Sequence, residues 1–154
     1  MNSSGILFGN RLLDVALISC FVAQFYKVFS PMMRGEKIQW ARLIQTGGMP
    51  SSHASTVVSL ATGVWLLKGA ASIEFAIAMV FCSVVLYDAT GIRRQAGKHA
   101  EALNKLVDSI EKRDGIEIIS EEFKEFLGHT PIEVFWGSIL GLIIGLMSRG
   151  YILG

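Results

Sequence analysis

Apolar residues are concentrated in four segments of this 154-residue chain rather than spread evenly along it. The segments cover residues 12–29, 54–67, 73–87 and 134–153. Each is close to, or slightly short of, the roughly 20 residues that a helix needs to cross a bilayer. Lys27 lies near the end of the first segment, where a long cationic side chain can reach the lipid headgroups. The pattern predicts an all-α, polytopic membrane helical bundle with about four transmembrane helices, formed as a single domain over residues 1–154.

Two polar connections separate these segments. The connection 30–52 is basic and predicts a short interfacial helix over residues 32–46, with Trp40 at headgroup level. The connection 88–133 is rich in charges of both signs and predicts an amphipathic helix over residues 94–110 and a shorter one over residues 117–126. Four spans place both connections on one side of the membrane. Their cations predict that this side is cytoplasmic, or stromal or matrix in an organelle.

Composition supports the membrane interpretation and excludes other classes. Hydrophobic residues make up 51% of the chain, and the mean hydropathy is +0.47. The net charge of +1 gives no reason to expect a nucleic-acid partner. Cys20 and Cys82 lie inside apolar segments, which predicts free thiols rather than a disulfide or a metal site. The first residues lack the basic region and cleavage site of a signal peptide.

An uncharged stretch at residues 47–55 predicts a helix start. Pro50 restricts the backbone just before Ser51 and Ser52, either of which can cap the helix that follows. His53 then lies in the first turn, where free N–H groups and the helix dipole favour an anion such as phosphate. An imidazole there could donate a proton to a leaving oxygen. The alternative is an ordinary capped helix with a polar histidine at the membrane surface.

The last apolar segment begins in a similar way. Thr130 at the N-cap, Pro131 at the first helical position and Glu133 three residues after the cap predict a capping box. His129 and Glu133 are four residues apart, so the carboxylate could instead hold one ring nitrogen and leave the other as a nucleophile. We expect one carboxylate to satisfy these two demands only in part.

The predicted topology places both histidines at the same membrane face as several cations. These cations are Lys27, Arg34, Arg93 and Arg94. Cations around two imidazoles at two helix N-termini make a site for a tetrahedral oxyanion. The alternative is that these cations are membrane anchors or topology signals.

Glycine recurs every four residues in the last segment, at Gly137, Gly141 and Gly145. The three glycines share one helix face and predict close packing against another helix. That helix could belong to the same chain or to a second copy in a homo-oligomer.

Together these residues resemble the three-part signature of the type 2 phosphatidic acid phosphatase and vanadium-dependent haloperoxidase superfamily. The first part is Lys27 with Arg34, the second is the run from Pro50 to His53, and the third is an arginine followed by His129 and Glu133. The runs 88–98 and 128–134 are most similar to its small divergent branch of phosphatase- or haloperoxidase-related membrane proteins. The resemblance covers residues 10–146.

The chain departs from the superfamily pattern at several positions. Gly35 replaces a proline, Ser52 replaces a glycine, and Glu133 replaces an aspartate. The arginine that normally lies five residues before the third-motif histidine is missing, which leaves Arg93 or Arg94 as its substitute. Arg93 and His99 have the right spacing for that motif, but Leu103 stands where an acid is needed, so we expect His99 on the surface.

The resemblance implies a membrane phosphatase that hydrolyses a phosphate monoester, such as a lipid or polyprenyl phosphate. His129 would form a phosphohistidine, oriented by Glu133, and His53 would protonate the leaving oxygen. The phosphate would be bound by Lys27, Arg34, Ser51, Ser52 and Arg93 or Arg94. No metal cofactor is implied, and vanadate would act as a phosphate mimic.

Two other functions compete with hydrolysis. One is a catalytically inactive scaffold or lipid-phosphate-binding protein of the same fold, which the departures favour. The other is small-molecule transport, which is supported only by intramembrane polar residues such as Asp14 and Gln24.

Overall fold

A computed structural model describes residues 5–7, 9–35, 48–115, 123 and 129–154, without the side chains of residues 33, 34 and 92–94. Within these ranges the protein is helical, as predicted. The α-helices are α1 (Arg11–Phe29), α2 (Ser52–Lys68), α3 (Ile73–Thr90), α4 (Ile92–Asp114), α5 (Pro131–Met147) and α6 (Arg149–Leu153). A 3₁₀ helix, Ser30–Arg34, continues α1.

Side-chain caps begin four of these helices. Asn10, Ser51, Ser72 and Thr130 each accept a hydrogen bond from a backbone N–H in the first turn that follows. The capping box predicted at Thr130 is confirmed, because Thr130 and Glu133 exchange side-chain to backbone bonds. Helix α5 begins at Pro131, as the capping box predicts. The apolar segment 134–153 is interrupted at Ser148, which separates α5 from α6.

Helix α2 lies at the centre of the bundle, in contact with α1, α3 and α5. It runs antiparallel to α1, since Lys27 meets Ser52 at one end and Leu12 lies beside Gly63 at the other. Helix α3 is also antiparallel to α2, to which a short turn joins it. Helix α5 runs parallel to α2, so the N-termini of α2 and α5 and the C-termini of α1 and α3 share one end of the bundle.

The glycine face of α5 packs against α2 within the same chain. A side-chain carbon at Gly137 would lie 2.4 Å from the Ser51 carbonyl oxygen, and one at Gly141 would lie 2.3 Å from the Ser55 carbonyl oxygen. A larger residue would therefore push the helices apart. Because α2 occupies this face, a homo-oligomer would have to use another surface in this arrangement.

Buried hydroxyl groups join α1 to α2. The Ser19 and Ser55 side chains are fully buried, and their Oγ atoms lie 2.6 Å apart. Ser19 also donates to the Ser55 carbonyl at 3.0 Å. Small hydroxyl residues let two helices approach closely while their polar atoms remain hydrogen-bonded.

At the opposite end of the bundle, one buried carboxylate joins three parts of the chain by hydrogen bonds. Asp14 is 1% exposed and accepts hydrogen bonds from the N–H groups of Ile6 and Leu7, both at 2.7 Å. The Tyr151 hydroxyl in α6 donates to the same carboxylate. The turn before α1 and the helix that follows α5 are therefore bound to one side chain.

The outward faces of α1, α3 and α5 are apolar and exposed, with large side chains such as Phe21, Phe81 and Phe135. Among the described residues, two stretches are long and apolar enough to cross a membrane, Arg11–Met32 and Ile73–Asp114. Pro131–Met147 is apolar but shorter. These outward faces fit a lipid environment, and the count of four spanning helices stays a prediction.

Helix α4 is the amphipathic helix expected in the second connection, and it packs against α3. Its Asn104 side chain donates to the Phe123 carbonyl at 2.9 Å and accepts from the Phe123 N–H at 3.0 Å. His99 is exposed on α4, as expected. The other two predicted connection helices, over 32–46 and 117–126, fall almost entirely outside the described residues.

Candidate active site between helix termini

Two histidines from distant parts of the chain meet at the end of the bundle where α2 and α5 begin. The ring centroids of His53 and His129 are 5.8 Å apart, with an angle of 64° between the ring planes. His53 lies in the first turn of α2 and is exposed, whereas His129 precedes the N-cap of α5 and is 3% exposed. The pair therefore joins a buried ring to one that solvent can reach.

Backbone hydrogen bonds position this pair. The His129 N–H donates to the carbonyl of Ala89 near the end of α3 at 3.0 Å, and the Ser51 N–H donates to the Glu133 carbonyl at 3.0 Å. The close approach of Gly137 to Ser51 reinforces the second contact. The site is thus held by the termini of three helices, so its geometry depends on how the bundle packs.

Glu133 serves two roles with one oxygen. Its Oε2 atom lies 3.1 Å from His129 Nδ1 and also accepts from the Thr130 N–H at 3.1 Å. We expected the carboxylate to satisfy these two demands only in part, but Oε2 makes both contacts, because one carboxylate oxygen can accept two hydrogen bonds. With Nδ1 occupied, the carboxylate favours the tautomer in which Nε2 carries the lone pair.

A buried cation completes the described part of the site. Lys27 is 3% exposed, and its Nζ donates to Ser52 Oγ at 3.4 Å. Gly48 lies against the lysine stem, since a side-chain carbon there would be 3.7 Å from Lys27 Cδ. An ammonium group held in this way sets a positive charge beside the first turn of α2, where backbone N–H groups already favour an anion.

The pKa of His129 is held below its ordinary value of 6.5, chiefly because burial disfavours the charged ring. The hydrogen bond to Glu133 opposes this shift, while the positive charge of Lys27 adds to it. The result favours a neutral imidazole near pH 7, which is the form that can act as a nucleophile.

Comparison with known proteins identifies the family of this chain. A family model described as "Divergent PAP2 family" matches residues 8–144. The chain belongs to the divergent PAP2 family. An uncharacterized membrane protein of Bacillus subtilis (strain 168), YuiD, is 39% identical over 150 residues, which cover 92% of this chain and 95% of the relative. No solved structure matches the chain. The protein is therefore a membrane protein of the divergent PAP2 family, with a phosphatase-like fold.

Two serines expected to bind phosphate differ in position within this divergent PAP2 protein. Ser51 is fully buried, and its Oγ accepts from the Ala54 N–H at 3.3 Å. Its side chain is the N-cap of α2, and the contact expected between its hydroxyl and phosphate stays a prediction. Ser52 is 5% exposed and bonded to Lys27, so its hydroxyl stays beside the cation.

The arginines of the family pattern are only partly described. Arg34 ends the 3₁₀ helix, and Arg93 and Arg94 lie in the first turn of α4. Their side chains lie outside the described part of the structure.

Sequence reasoning missed two contributors to the site. The carbonyl of Ala89 holds His129, and Gly48 lies against Lys27. The first is a backbone contact that any residue could make, so the sequence carries no signal for it. The second has a weak signal, because Gly48 adopts a φ of 84° in a region that favours glycine.

Proposed function

We propose that this divergent PAP2 protein hydrolyses a phosphate monoester, with a lipid or polyprenyl phosphate as its substrate. The observation that carries the proposal is the contact between His53 and His129 beside a buried lysine. Glu133, whose Oε2 lies 3.1 Å from His129 Nδ1, and the difference in burial give the two rings different environments. His129 is buried and bonded to Glu133, which suits a neutral nucleophile. His53 is accessible to solvent, which suits a proton donor.

In the first step, Nε2 of neutral His129 attacks the phosphorus atom and forms an N–P bond. The bond between phosphorus and the ester oxygen breaks, and that oxygen takes a proton from the imidazolium of His53, so the product is a neutral alcohol. Glu133 stabilises the positive charge that develops on the His129 ring. The Lys27 ammonium and the N–H groups at the start of α2 bind the phosphoryl oxygens.

In the second step, water releases the phosphate. His53, now neutral, takes a proton from the water as its oxygen attacks phosphorus. The N–P bond breaks, the electron pair returns to Nε2 of His129, and inorganic phosphate leaves. The two histidines are then in their starting protonation states, so the cycle is closed.

The contact between the rings sets a requirement on substrate binding. At a centroid distance of 5.8 Å the two rings touch, as in other aromatic pairs, and a phosphoryl group does not fit between them. His129 is 3% exposed, whereas His53 is exposed to the solvent into which it can turn. We therefore assign the movement to His53, which turns aside as the phosphate enters.

The same contact favours a second candidate function. If His53 does not move, the protein could hold a phosphate headgroup near Lys27 without transferring it, as a lipid-phosphate-binding protein or scaffold. The replacement of the usual aspartate by Glu133 and the missing third-motif arginine fit this alternative. In either case we propose that the site faces the cytoplasm or its organellar equivalent, because the two polar connections, which carry most of the cations, belong to this end of the bundle.

Phosphate release from p-nitrophenyl phosphate and from dodecyl phosphate tests the two functions. The purified protein is expected to release phosphate from both, and His129→Ala is expected to abolish release. Rapid quenching with ³²P-labelled substrate should trap an acid-labile, alkali-stable phosphoprotein in the wild type only. His99→Ala is the matched control, because His99 is exposed on α4 and should leave activity unchanged. Saturable vanadate binding without any turnover would support the binding protein instead.

A further inference from the structure

Two buried serines join α1 to α2 below the candidate site. Ser19 and Ser55 are both 0% exposed. The Ser19 hydroxyl donates to the Ser55 carbonyl at 3.0 Å, and the Ser55 hydroxyl lies 3.4 Å from the Ser19 carbonyl oxygen. Their Oγ atoms are 2.6 Å apart. The link is therefore reciprocal, and it depends on the direction of each hydroxyl as well as on its distance.

The face of α1 that carries Ser19 also carries Lys27. Buried residues recur on this face every three or four positions, at Ala16, Ser19, Ala23 and Lys27. Apart from the lysine they are small, so the shape of this face gives α1 little resistance to sliding along α2. Because lipid removes the hydrophobic force between helices, close packing and hydrogen bonds decide how they fit together. A buried polar pair can then fix the register, as one buried asparagine does in a coiled coil.

The carbonyl of Ser55 is also a contact point for α5. A side-chain carbon at Gly141 would lie 2.3 Å from the same oxygen that accepts the hydrogen bond from α1. Three helices therefore meet at one backbone atom, and each supplies a group to the candidate site. These groups are Lys27 from α1, Ser52 from α2 and His129 just before α5. A shift of α1 at this level would therefore change where Lys27 lies relative to the start of α2.

The contact between Lys27 and Ser52 tolerates little displacement. It is 3.4 Å long, whereas bonds from nitrogen to oxygen are usually roughly 2.7–3.2 Å long. A further shift of about 1 Å would break this contact, and a misplacement of that size can slow an enzyme about 10²-fold. Ser19 is about 12 Å from Lys27 along the helix, so it can hold the lysine in place without touching it.

We propose that Ser19 is a positioning residue, which holds Lys27 at the first turn of α2 through its hydrogen bonds to Ser55. The position of the lysine follows from the two serines, whereas its use in binding phosphate rests on the function proposed above. The proposal therefore has two parts that different measurements can test.

The variant that tests both parts is S19A/S55A. Removal of both hydroxyls leaves neither one without its partner, so this change is expected to cost little stability. Ser83→Ala is the matched control, because Ser83 is exposed on α3 and its hydroxyl donates to the Met79 carbonyl of its own helix at 2.9 Å. Circular dichroism and thermal unfolding of the full chain in detergent check that both variants fold.

Chemical labelling measures the position of the lysine without any ligand. Lys27 is 3% exposed, so methyl acetimidate should modify it slowly in the wild type. We expect S19A/S55A to raise its modification rate about tenfold, the factor for losing one hydrogen bond. The Lys68 side chain, which is 50% exposed, should be modified at one rate in every protein. Labelling of the buried Cys82 thiol by N-ethylmaleimide reports general loosening of the bundle and should not change.

Vanadate binding measures the use of the lysine without turnover. Calorimetric titration should show binding about tenfold weaker for S19A/S55A than for the wild type, and unchanged for Ser83→Ala. The same pair of serine substitutions in a Lys27→Met background should cause no further loss, because the serines act through the lysine. A role in stability alone would lower the melting temperature and leave these affinities unchanged.

Three results would overturn the positioning role. These are unchanged labelling of Lys27 in S19A/S55A, equal increases in the labelling of Lys27 and Cys82, and additive losses of vanadate affinity with Lys27→Met. A double variant that hydrolyses phosphate esters as fast as the wild type would also overturn it, and the proposed function would survive. Conversely, faster labelling of Lys27 in a protein that binds no vanadate would support the role of the serines in position and count against the proposed function.

Discussion

Glu133 holds His129 through the same carboxylate oxygen that caps α5, with both contacts at 3.1 Å. Glu133, which completes the capping box of α5, thus also sets the tautomer of His129. Glu133→Gln should separate the negative charge from the two contacts, because an amide oxygen in the place of Oε2 can still accept from the Thr130 N–H and from His129 Nδ1–H. We expect kcat/KM to fall by up to about 10⁴-fold, because a neutral amide does not stabilise the positive charge that develops on the His129 ring.

The cap should survive that substitution, with a loss of less than about 1 kcal/mol in the free energy of unfolding. Glu133→Ala is the comparison variant, since it removes both contacts. Thermal unfolding in detergent, measured beside the kinetics, distinguishes them. A large fall in stability for Glu133→Gln would show that the capping role cannot be separated from the catalytic one.

The proposed acid role of His53 predicts a dependence on the leaving group. His53→Ala should slow hydrolysis of dodecyl phosphate by about 10²–10⁴-fold, because an alkoxide needs a proton to leave. The first step with p-nitrophenyl phosphate should be affected much less, since p-nitrophenolate leaves without one. Burst kinetics with the aryl ester measure that step separately from phosphohistidine hydrolysis, and equal losses for the first step with both esters would contradict an acid role.

The buried cation should control phosphate affinity. Lys27→Met is expected to weaken inhibition by vanadate by about 10- to 100-fold, because a hydrogen bond to a charged group contributes roughly 1.5–3 kcal/mol. Lys68→Met is the matched control, since Lys68 pairs with Glu74 at the other end of the bundle at 3.2 Å. Inhibition constants from competition kinetics should be unchanged for the control.

The lowered pKa of His129 predicts the acid limit of activity. His129 must be neutral to attack phosphorus, so kcat/KM should persist below pH 6.5 and fall only as the pH passes through the lowered pKa. Lys27→Met should move this limit to higher pH, because the lysine charge helps to lower the pKa. A pH–rate profile for each protein measures the shift, and a limit above pH 6.5 in the wild type would contradict the assignment.

The free energy of unfolding should depend on pH through the same residue, His129. The unfolded chain takes up a proton at His129 near pH 6.5, but the folded protein resists it until the lower pKa is reached. The contribution of the neutral ring is therefore complete above about pH 6.5 and is lost as the pH falls toward the folded-state pKa. Melting temperatures of the wild type and His129→Gln should converge over that interval.

The glycine face of α5 predicts a stability change that does not involve chemistry. Gly137→Ala places a carbon against the Ser51 carbonyl and should cost about 1–3 kcal/mol. Gly150→Ala is the control, because no other atom lies within 4 Å of the added carbon. That change should be neutral or slightly stabilising in thermal unfolding, and an equal loss for both variants would contradict close packing of α5 on α2.

Much of the fold was predictable because it depends on local chemistry. The apolar segments and the polar caps at Ser51 and Thr130 identify helices from neighbouring residues alone. The sequence marks the end of α5 by Ser148, Arg149 and Gly150, which interrupt the apolar segment, but it does not show whether one helix continues through them. The sequence offered both Ser51 and Ser52 as the cap of α2, and the structure shows that Ser51 is the N-cap.

The residues of the candidate site could be predicted from the sequence, but the backbone hydrogen bonds that position them could not. His53, His129 and Glu133 follow from spacing and from the family pattern. The contacts that hold them, from Ala89 and Ser51, join backbone groups of different helices and leave no mark in the sequence.

The carboxylate of Asp14 joins the first and last parts of the described chain by hydrogen bonds. Tyr151 is 137 positions away in sequence, yet it shares this anion with the turn that precedes α1. Removing the residues after Met147 would remove Tyr151 and its hydrogen bond to Asp14. The turn before α1, which is bonded to the same carboxylate, would then be held less firmly. A tag or fusion that disturbs either α6 or the turn before α1 will therefore alter the packing of the other through Asp14.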